Sequence, residues 1–230
     1  MIGIIGAMNS EVQGLKNAME NTEVKTISSV EFCCGTLNGK SVVAAVAGVG
    51  KVNAAVTALL MIREFNVSSV INIGVAGGLE PSLRIGDIVI ADRVVEHDMD
   101  TTPLGDEPGF ITGLDRVYMD CDKKIADILE KCAKDMGKHT VRGTVASGDQ
   151  FICRDDQRSR LISVFNAAAA EMEGAAIGHV CVMSNVGFGV LRAMSDCAND
   201  DSVVNFPEFE KEAAAVSIEI VKRAVSEMED

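Results

Sequence analysis

The sequence predicts a single α/β domain, and two observations carry that prediction. Short apolar runs, such as residues 2–6 and 70–73, alternate along the chain with segments such as residues 52–63, whose apolar residues recur at helical spacing. Strands that alternate with helices are typical of a parallel or mixed sheet. The 230 residues also contain no internal repeat, low-complexity segment or linker. We therefore expect one domain over residues 1–230.

The first half of the chain begins with a strand and then a helix that we expect Asn9 or Ser10 to cap. Asn38-Gly39 separates two β-rich segments and predicts a type I′ hairpin turn. A helix over residues 52–63 leads to a buried strand, which we expect to end at the glycine-rich residues 74–78. The predicted strands of this half cover residues 2–6, 24–28, 31–37, 41–47, 70–73 and 85–95.

The second half opens with a long loop over residues 98–120, which contain two prolines and three glycines and show no sustained period. Loops of this length are often functional or lie at an interface. The last helix is expected to begin near residues 205–207, with Pro207 in its first turn, and to end near Met228. The other predicted elements are helices over residues 123–136, 155–164 and 175–181 and strands over residues 140–146 and 186–194.

Composition excludes some classes of partner. The formal net charge of −13 argues against nucleic acids, which bind through clustered Lys and Arg. Residues 1–12 lack a basic region and reach an acid at Glu11, so we expect neither a signal peptide nor a membrane span.

The seven cysteines form no C-x-x-C pair, and an odd number cannot all pair within one chain. Free thiols indicate a reducing, cytoplasmic location.

The densest group of candidate functional residues lies in the last third of the chain. Glu171 and Glu173 precede an apolar helical pattern, and a buried-strand pattern then ends in Arg192, Ser195 and Asp196. Because a buried, unpaired charge is very costly, these groups must be exposed or hydrogen-bonded. The strand directs its last side chains beyond the carboxyl end of the sheet, where open α/β sheets bind ligands. We expect the functional site there.

Two glycine-rich turns suggest nucleotide-binding motifs but fail on spacing. Residues 48–51 (GVGK) follow a strand and precede a helix, as in a phosphate-binding loop. Such a loop needs a glycine five positions before its Gly-Lys and a Ser or Thr after it, whereas this chain has Ala45 and Val52 there. Residues 74–78 lack the G-x-G-x-x-G spacing of dinucleotide-binding folds. We therefore expect tight turns that can face a ligand, and no dinucleotide cofactor.

The histidines are weak signals for a metal site. His97, Asp98 and Asp100 lie in a loop without an H-E-x-x-H motif or a cysteine pair. We interpret them as part of a solvated loop, and we expect neither a metal nor a cofactor. His139 and His179 stand alone, and we expect both to be structural.

Several further side chains have ordinary interpretations when taken singly. Phe151 follows a predicted strand, and its ring either fills the core or forms a stacking platform for a planar ligand. Glu11, Glu173 and Asp196 are each interpreted as a helix cap or a surface charge. These residues gain significance only as a set.

Seven segments of the sequence contain these candidate residues and together match the pattern of a known family. In chain order they are IGIIGAMNSEV (2–12), AGVGKVNAA (47–55), NIGVAGGL (72–79), GDIVIAD (86–92), SGDQFI (147–152), EMEGAAIGHVC (171–181) and LRAMSDCAND (191–200). Together they span nearly the whole chain and resemble the 5′-methylthioadenosine/S-adenosylhomocysteine nucleosidases of the nucleoside phosphorylase superfamily. The resemblance implies a single-domain, nucleoside-phosphorylase-like fold with a twisted mixed β-sheet flanked by α-helices. It also implies a homodimer that hydrolyses the adenine–ribose N-glycosidic bond in methionine salvage, giving adenine plus methylthioribose or S-ribosylhomocysteine.

The resemblance assigns four residues to the adenine base. Asp196 would protonate or hydrogen-bond adenine N7, and Ser195 would assist it. Phe151 would stack on the base, while the backbone of Ile152 would contact its edge.

The same resemblance assigns residues to the sugar, the water and the 5′ group. Glu173 would hold the ribose hydroxyls, with Met172 against the sugar, and Glu11 would position or deprotonate the attacking water, with Arg192 nearby. A partner-subunit loop near Leu104–Thr112 would close the pocket. Met8, Val49 and Phe206 would line the pocket for the 5′-alkylthio group, and Gly77 and Glu171 would complete the substrate-binding set.

This chemistry is reasonable on physical grounds alone. Adenine leaves poorly as an anion, and a positioned general acid typically contributes about 10²–10⁴ in rate. Asp196 can supply a proton only if burial or a proton-sharing base keeps it protonated near neutral pH. The sugar becomes oxocarbenium-like as the bond breaks, and nearby carboxylates stabilise that charge.

One position departs from the resemblance. Relatives often carry Ser or Thr where this chain has Val75. Valine removes a hydroxyl that could contact the water or the sugar, so either catalysis is slower or the backbone alone serves the site. The three acids are all present.

Other functions compete with hydrolysis. A phosphorylase of the same superfamily needs arginines for its phosphate. The arginines of the N-terminal half are Arg63, Arg84 and Arg93, none of them in a glycine turn, and Glu11 would repel phosphate, so we favour hydrolysis. A futalosine or 5′-deoxyadenosine hydrolase would use the same catalytic residues and differ only in the 5′ pocket. A non-catalytic nucleoside-binding module is expected to lack at least one acid.

Overall fold

The computed structural model describes residues 1–198 and 202–228 of the chain. Helices and strands alternate over most of this length. The helices are α1 (Asn9–Ala18), α2 (Lys51–Phe65), α3 (Lys123–Asp135), α4 (Asp155–Phe165), α5 (Gly174–Ser184) and α6 (Ser202–Glu227). The strands are β1 (Ile2–Gly6), β2 (Glu20–Ile27), β3 (Val30–Leu37), β4 (Lys40–Val46), β5 (Ser69–Gly78), β6 (Ile88–Glu96), β7 (Tyr118–Asp120), β8 (Thr140–Ser147), β9 (Ala167–Glu171) and β10 (Gly187–Asp196).

These strands form one mixed sheet, as predicted. The order is β10-β6-β8-β9-β5-β1-β4-β3-β2, with β7 beside β6. β10 also pairs in parallel with β5, so that β10, β6, β8, β9 and β5 close into a ring. The carboxyl ends of β1, β5 and β10 therefore meet at one end of the sheet, which is where ligands bind in folds of this kind.

Helices cover both faces of the central strands. Ile4 and Ile71 pack in a cluster with residues of α1, α3 and α6, whereas Ile5 and Val70 pack in a second cluster with residues of α2 and α5. Successive strand residues point to opposite faces, so β1 and β5 are buried on both sides. This explains why both strands are nearly continuous apolar runs in the sequence.

A register shift aims the last residues of β10. The pairing of β10 with β5 is irregular between Met194 and Asp196, which leaves Ser195 outside the regular ladder. An irregularity of this kind redirects the neighbouring side chains. Asp196 lies opposite Gly77 of β5 as a result.

The structure corrects three predicted elements. The strand expected to end at residues 74–78 runs through them to Gly78, because the glycines admit the close approach of β10 and the residues after it. β9 was not predicted, since Ala167–Ala170 has neither alternation nor β-branched residues. The loop over residues 98–120 ends in a short strand, β7, and contains a single 3₁₀ turn at Thr102–Leu104.

Two helix starts also differ from prediction, while one turn agrees with it. Neither Asn9 nor Ser10 caps α1, because the Glu11 carboxylate folds back onto the residues before the helix. α6 begins at Ser202, so Pro207 lies past its first turn. The Asn38-Gly39 turn has φ values of 50° and 80°, as a type I′ turn requires.

No helix among the described residues has the length and apolar character needed to cross a membrane.

Candidate active site

One pocket lies at the carboxyl ends of β1, β5, β9 and β10 and collects most of the predicted residues. Every predicted site residue except Arg192 lines it. The predicted site set does not include five further lining residues, Ala7, Val75, Ala76, Gln150 and Ala170, whose side chains carry no charge and mark no motif in the sequence. The lining residues are Ala7, Met8, Glu11, Val49, Val75, Ala76, Gly77, Gln150, Phe151, Ile152, Ala170, Glu171, Met172, Glu173, Ser195, Asp196 and Phe206.

Glu11 is held at the floor of the pocket by backbone donors. Its Oε2 accepts hydrogen bonds from the N–H groups of Ala7 (2.7 Å) and Met8 (2.9 Å), and its Oε1 accepts one from the N–H of Val75 (3.1 Å). Burial raises the pKa of Glu11, although Arg192 and the three N–H groups act in the opposite direction. Val75 thus serves the site through its backbone, while its side chain is part of the wall.

Gly74 makes room for the charged groups beneath the pocket. A Cβ on this residue would lie 2.5 Å from Arg192 Nη1 and 2.6 Å from Glu11 Oε1. Glycine is therefore needed here for a guanidinium and a carboxylate to approach the strand together. The sequence shows a glycine-rich stretch, but only the fold shows which glycine has this function.

Arg192 lies behind the pocket wall rather than in it. Its side chain is almost fully buried, and its Nε donates to Glu171 Oε2 at 3.1 Å. Its Nη2 donates to the same carboxylate and to Asn72 Oδ1, and lies 4.0 Å from Glu173 Oε2. Although burial opposes the charged form, the acids around it raise the pKa of Arg192. Arg192 therefore acts as a fixed counter-charge to the acids.

Glu171 is saturated with hydrogen bonds at the start of α5. It accepts from the N–H groups of Glu173 (3.1 Å) and Gly174 (2.8 Å), from Arg192 and from the hydroxyl of Ser147. Amides at a helix start favour a negative charge. Because these donors occupy both of its carboxylate oxygens, Glu171 supports the site more than it offers free acceptor positions to a ligand.

Glu173 is the less satisfied member of this pair of acids. Its Oε1 accepts one hydrogen bond, from the N–H of Gly50 at 2.8 Å. Burial and the neighbouring Glu171 raise the pKa of Glu173 to about 7. Its carboxylate thus keeps acceptor capacity on the pocket side.

Asp196 and Ser195, at the end of β10, form a separate acid site beside Gly77 of β5. The Ser195 hydroxyl donates to Asp196 Oδ2 (2.9 Å), and the N–H of Ala198 donates to Oδ1 (2.8 Å). Both side chains are buried but line the pocket. A Cβ on Gly77 would lie 2.9 Å from Asp196 Oδ1, so glycine again allows an acid to approach the strand.

The aromatic side of the pocket is more open. Phe151 is 43% exposed, which rules out core filling and leaves the ring available to a ligand. It meets Phe206 edge to face, with ring centroids 5.6 Å apart. Ile152 beside it is buried. A planar group can enter between this aromatic pair and the strand ends.

The interpretation of residues 97–100 as a solvated loop is wrong for two of the three residues. His97 is buried, and a Cβ on Gly148 would overlap its ring. Asp98 pairs with Lys51, as described below, whereas Asp100 is exposed. Burial lowers the pKa of His97, because the interior disfavours a charged ring.

The predicted partner loop lies outside this chain's own pocket. No residue of 104–112 is among the described lining residues. Leu104 is 83% exposed and projects from the surface. Residues 104–112 thus do not line the pocket in the part of the chain that the structure describes.

Comparison with known proteins agrees with this architecture. The fold and the acid-lined pocket define an α/β enzyme of the phosphorylase superfamily, whose family model matches residues 1–226. A 5′-methylthioadenosine/S-adenosylhomocysteine nucleosidase of Shewanella loihica is 41% identical over 210 residues, which cover 90% of this chain and 91% of the relative.

Solved structures give the same result. The Neisseria meningitidis 5′-methylthioadenosine/S-adenosylhomocysteine nucleosidase, in complex with methylthio-immucillin-A, superposes with a TM-score of 0.96 at 34% identity, over 99% of both chains. The futalosine hydrolase of Helicobacter pylori superposes with a TM-score of 0.94 at 32% identity, over 99% of this chain and 97% of that one. The chain belongs to the phosphorylase superfamily and, within it, to the 5′-methylthioadenosine/S-adenosylhomocysteine nucleosidase family.

Proposed function

We propose that this chain hydrolyses the adenine–ribose N-glycosidic bond of 5′-methylthioadenosine and S-adenosylhomocysteine. The chain is an N-glycosyl hydrolase, and its products are adenine plus methylthioribose or S-ribosylhomocysteine. The observation that carries the proposal is the placement of three buried carboxylates, Glu11, Glu173 and Asp196, in one pocket with an exposed aromatic ring. Each acid can serve a different part of a nucleoside.

Glu11 and Asp196 approach different positions along β5, which supports distinct roles for them. Glu11 approaches β5 at Val75, and Asp196 approaches it at Gly77, two residues further along the strand. Two strand residues correspond to about 6.5 Å. This spacing is suitable for an attacking water at one position and a leaving base at the other.

At the base end, we assign Asp196 as the general acid. Its proton passes to adenine N7 as the glycosidic bond breaks, so that the base leaves as a neutral molecule. The Ser195 hydroxyl, 2.9 Å from Asp196 Oδ2, fixes the orientation of the carboxyl group. The Phe151 ring would stack on the base, and the backbone of Ile152 would contact its edge.

At the sugar end, Glu173 and Glu11 act on ribose and water. The free acceptor positions of Glu173 suit the ribose hydroxyls, with Met172 beside them. Glu11 takes a proton from the attacking water, and its raised pKa makes it a better base than an ordinary glutamate. Both carboxylates also stabilise the positive charge that develops on the sugar.

Water is favoured over phosphate as the nucleophile by the charges around the pocket. The described lining residues include four acids and no Lys or Arg. Arg192 is buried behind the wall and already bonded to Glu171. Arg84, a candidate in the N-terminal half, donates to the carbonyls of Pro81 and Leu83. A phosphate would therefore meet acids rather than arginines.

The direct test of this function is release of adenine. Purified protein incubated with 5′-methylthioadenosine, and separately with S-adenosylhomocysteine, should produce free adenine that chromatography detects. Absence of adenine from both nucleosides would contradict the proposal.

A second candidate is hydrolysis of another 5′-modified purine nucleoside, because a futalosine hydrolase shares this fold closely. The apolar residues Met8, Val49 and Phe206 suit an alkylthio group at the 5′ position. We therefore expect kcat/KM for 5′-methylthioadenosine to exceed that for futalosine and for 5′-deoxyadenosine. A reversed order would support the second candidate.

A homodimer is part of the proposal. Val52, Val56 and Leu59 are exposed by 74%, 42% and 48% and recur at helical spacing on α2, forming an apolar stripe. The partner's loop near Leu104–Thr112 would close the pocket. Leu59→Glu should shift the protein toward monomer in analytical ultracentrifugation, whereas Val24→Glu, at a 58% exposed position on β2, should not.

The cytoplasmic location and the single domain over residues 1–230 also belong to the proposal. All seven cysteines are free thiols, which suits a reducing compartment. One sheet includes strands from residue 2 to residue 196, which supports one domain.

A further inference from the structure

Lys51, the first residue of α2, connects the loop after β6, which contains Asp98, with the loop after β8, which contains Asp149. The proposed mechanism gives Lys51 no role. Its backbone N–H donates to Asp149 Oδ1 at 2.8 Å. Its ammonium Nζ donates to Asp98 Oδ1 at 2.7 Å and to Glu96 Oε2 at 3.2 Å. With 19% of the side chain exposed, the ammonium lies mainly among these acids rather than in water.

The start of α2 takes its caps from other parts of the chain. Gly50 precedes the helix and has no side chain to cap it. Instead, the N–H of Gly50 donates to Glu173 Oε1, and the N–H of Lys51 donates to Asp149. The first N–H groups of a helix need acceptors and favour negative charge. The helix start thereby contacts the ribose-binding acid and the loop of the base site together.

Asp98 completes this link. Its Oδ2 accepts from the N–H of Asp149 at 2.9 Å, while its Oδ1 accepts from Lys51. Asp149 is followed directly by residues 150–152, which line the pocket. Although partial burial opposes both charges, Lys51 lowers the pKa of Asp98, and Asp98 and Glu96 raise the pKa of Lys51. The pair is therefore ionised.

We propose that Lys51 is a positioning residue that sets the separation between Glu173, which holds the ribose, and Phe151 and Ile152, which hold the base. The inference rests on the proposed function. The backbone of Lys51 contacts Asp149 directly, and its ammonium acts through Asp98, which accepts the N–H of Asp149. Losing it would loosen contacts that ground state and transition state share, so binding weakens more than the chemical step slows.

Lys51→Met tests this directly, because it removes the ammonium and keeps an unbranched side chain. KM for 5′-methylthioadenosine should rise about tenfold, while kcat changes by less than about twofold. Lys51→Arg keeps the charge and should return KM to within about threefold of wild type. Lys25→Met, which removes a 53% exposed partner of Glu64, is the matched control and should leave both constants unchanged.

Asp98→Asn tests the link from its other side, alone and combined with Lys51→Met. If the pair acts as a unit, KM of the double variant equals that of the weaker-binding single variant and is not the product of both effects. If Lys51→Met does not fold, the proposal is tested instead by comparing the KM of Asp98→Asn with that of the wild type. An unchanged KM, independent effects in the double variant, or a fall in kcat alone would overturn the proposal.

Failure of the proposed function gives a different result. In that case the wild-type protein releases no adenine, and the variants are compared by adenine binding in calorimetry instead. Adenine affinity should then fall by about threefold or more in Lys51→Met and stay constant in Lys25→Met. Equal affinities in wild type and Lys51→Met would overturn the positioning role.

Discussion

The water and ribose side of the pocket differs from its base side in how far the chain itself satisfies the polar groups. On the water and ribose side, Glu11 accepts three backbone N–H groups and Glu171 accepts from Arg192 and from the start of α5, while Glu173 accepts one N–H and keeps free positions for a ligand. On the base side, Asp196 has two partners, both within two residues in sequence, and Phe151 is 43% exposed.

This difference indicates which half is organised before the substrate binds. Hydrogen bonds that are fixed in advance stabilise developing charge without reorganisation during the reaction. The charge of the sugar develops next to the organised half. The aromatic half has room to adapt to the ligand and to the loop of a second subunit that we propose. Substitutions on the two sides should therefore have different effects on rate, stability and binding.

Asp196→Asn should have the largest effect, because it removes the proton that we propose Asp196 gives to adenine N7. We expect turnover of 5′-methylthioadenosine to fall by about 10²–10⁴. Adenine binding, measured by calorimetry, should remain detectable. Asp127→Asn, at a 50% exposed position on α3, is the control. Near wild-type turnover in Asp196→Asn would exclude the general-acid role.

Glu11→Gln should have the second-largest effect and lower turnover by about 10²-fold. The amide NH₂ cannot accept the backbone N–H bonds that the carboxylate accepts, so stability should also fall by about 1–3 kcal/mol. Adenine release and urea unfolding measure the two effects. An unchanged rate at reduced stability would transfer the water-activating role to another group.

Substitution of Gly74 and of Gly77 by alanine compares the two sides of the pocket by the loss in free energy of unfolding. Gly74→Ala forces a Cβ against Arg192 and Glu11 in the organised half and should cost about 3 kcal/mol. Gly77→Ala meets Ala198 and Asp196 near the end of β5 and should cost about 1 kcal/mol. Urea unfolding of both variants gives the comparison, and equal or reversed losses would contradict it.

The smallest predicted effect is a pH dependence that arises from Glu173, whose pKa is about 7. Glu171, Glu11, Arg192 and the Gly50 N–H surround it. The raised folded-state pKa contributes stability that is fully present below about pH 4.5 and is lost as the pH rises through about 7. Since ribose hydroxyls need the carboxylate, KM should fall over the upper part of this window.

Glu173→Gln provides the control for this prediction. The variant should remove this contribution to the pH dependence of both urea stability and KM. A pH profile identical to that of the wild type would assign the titration to a different group.

The sequence was sufficient for most of the fold and for the acids, because both depend on local patterns. Apolar runs between glycines marked β1 and β5, and the Glu171, Glu173, Ser195 and Asp196 side chains stood at the ends of apolar elements. β9 was missed because a run of alanines carries no strand pattern, although burial between β8 and β5 makes it one.

The supporting contacts of the site could not be predicted, because they join residues far apart in the chain. Arg192 and Asn72 are 120 positions apart, and Gly50 and Glu173 are 123 apart. Ser147 directly follows the strand predicted over residues 140–146, and nothing local indicates that its hydroxyl bonds to Glu171 and to the start of α5. Only the closed arrangement of strands brings these residues together.

The measurement that tests the account most directly is the identity of the sugar product of 5′-methylthioadenosine, with and without phosphate, by mass spectrometry. We expect free methylthioribose at a rate that phosphate does not change, because acids line the pocket and we assign the attacking water to Glu11. Methylthioribose-1-phosphate that forms only when phosphate is present would contradict it and would assign Glu11 a different role.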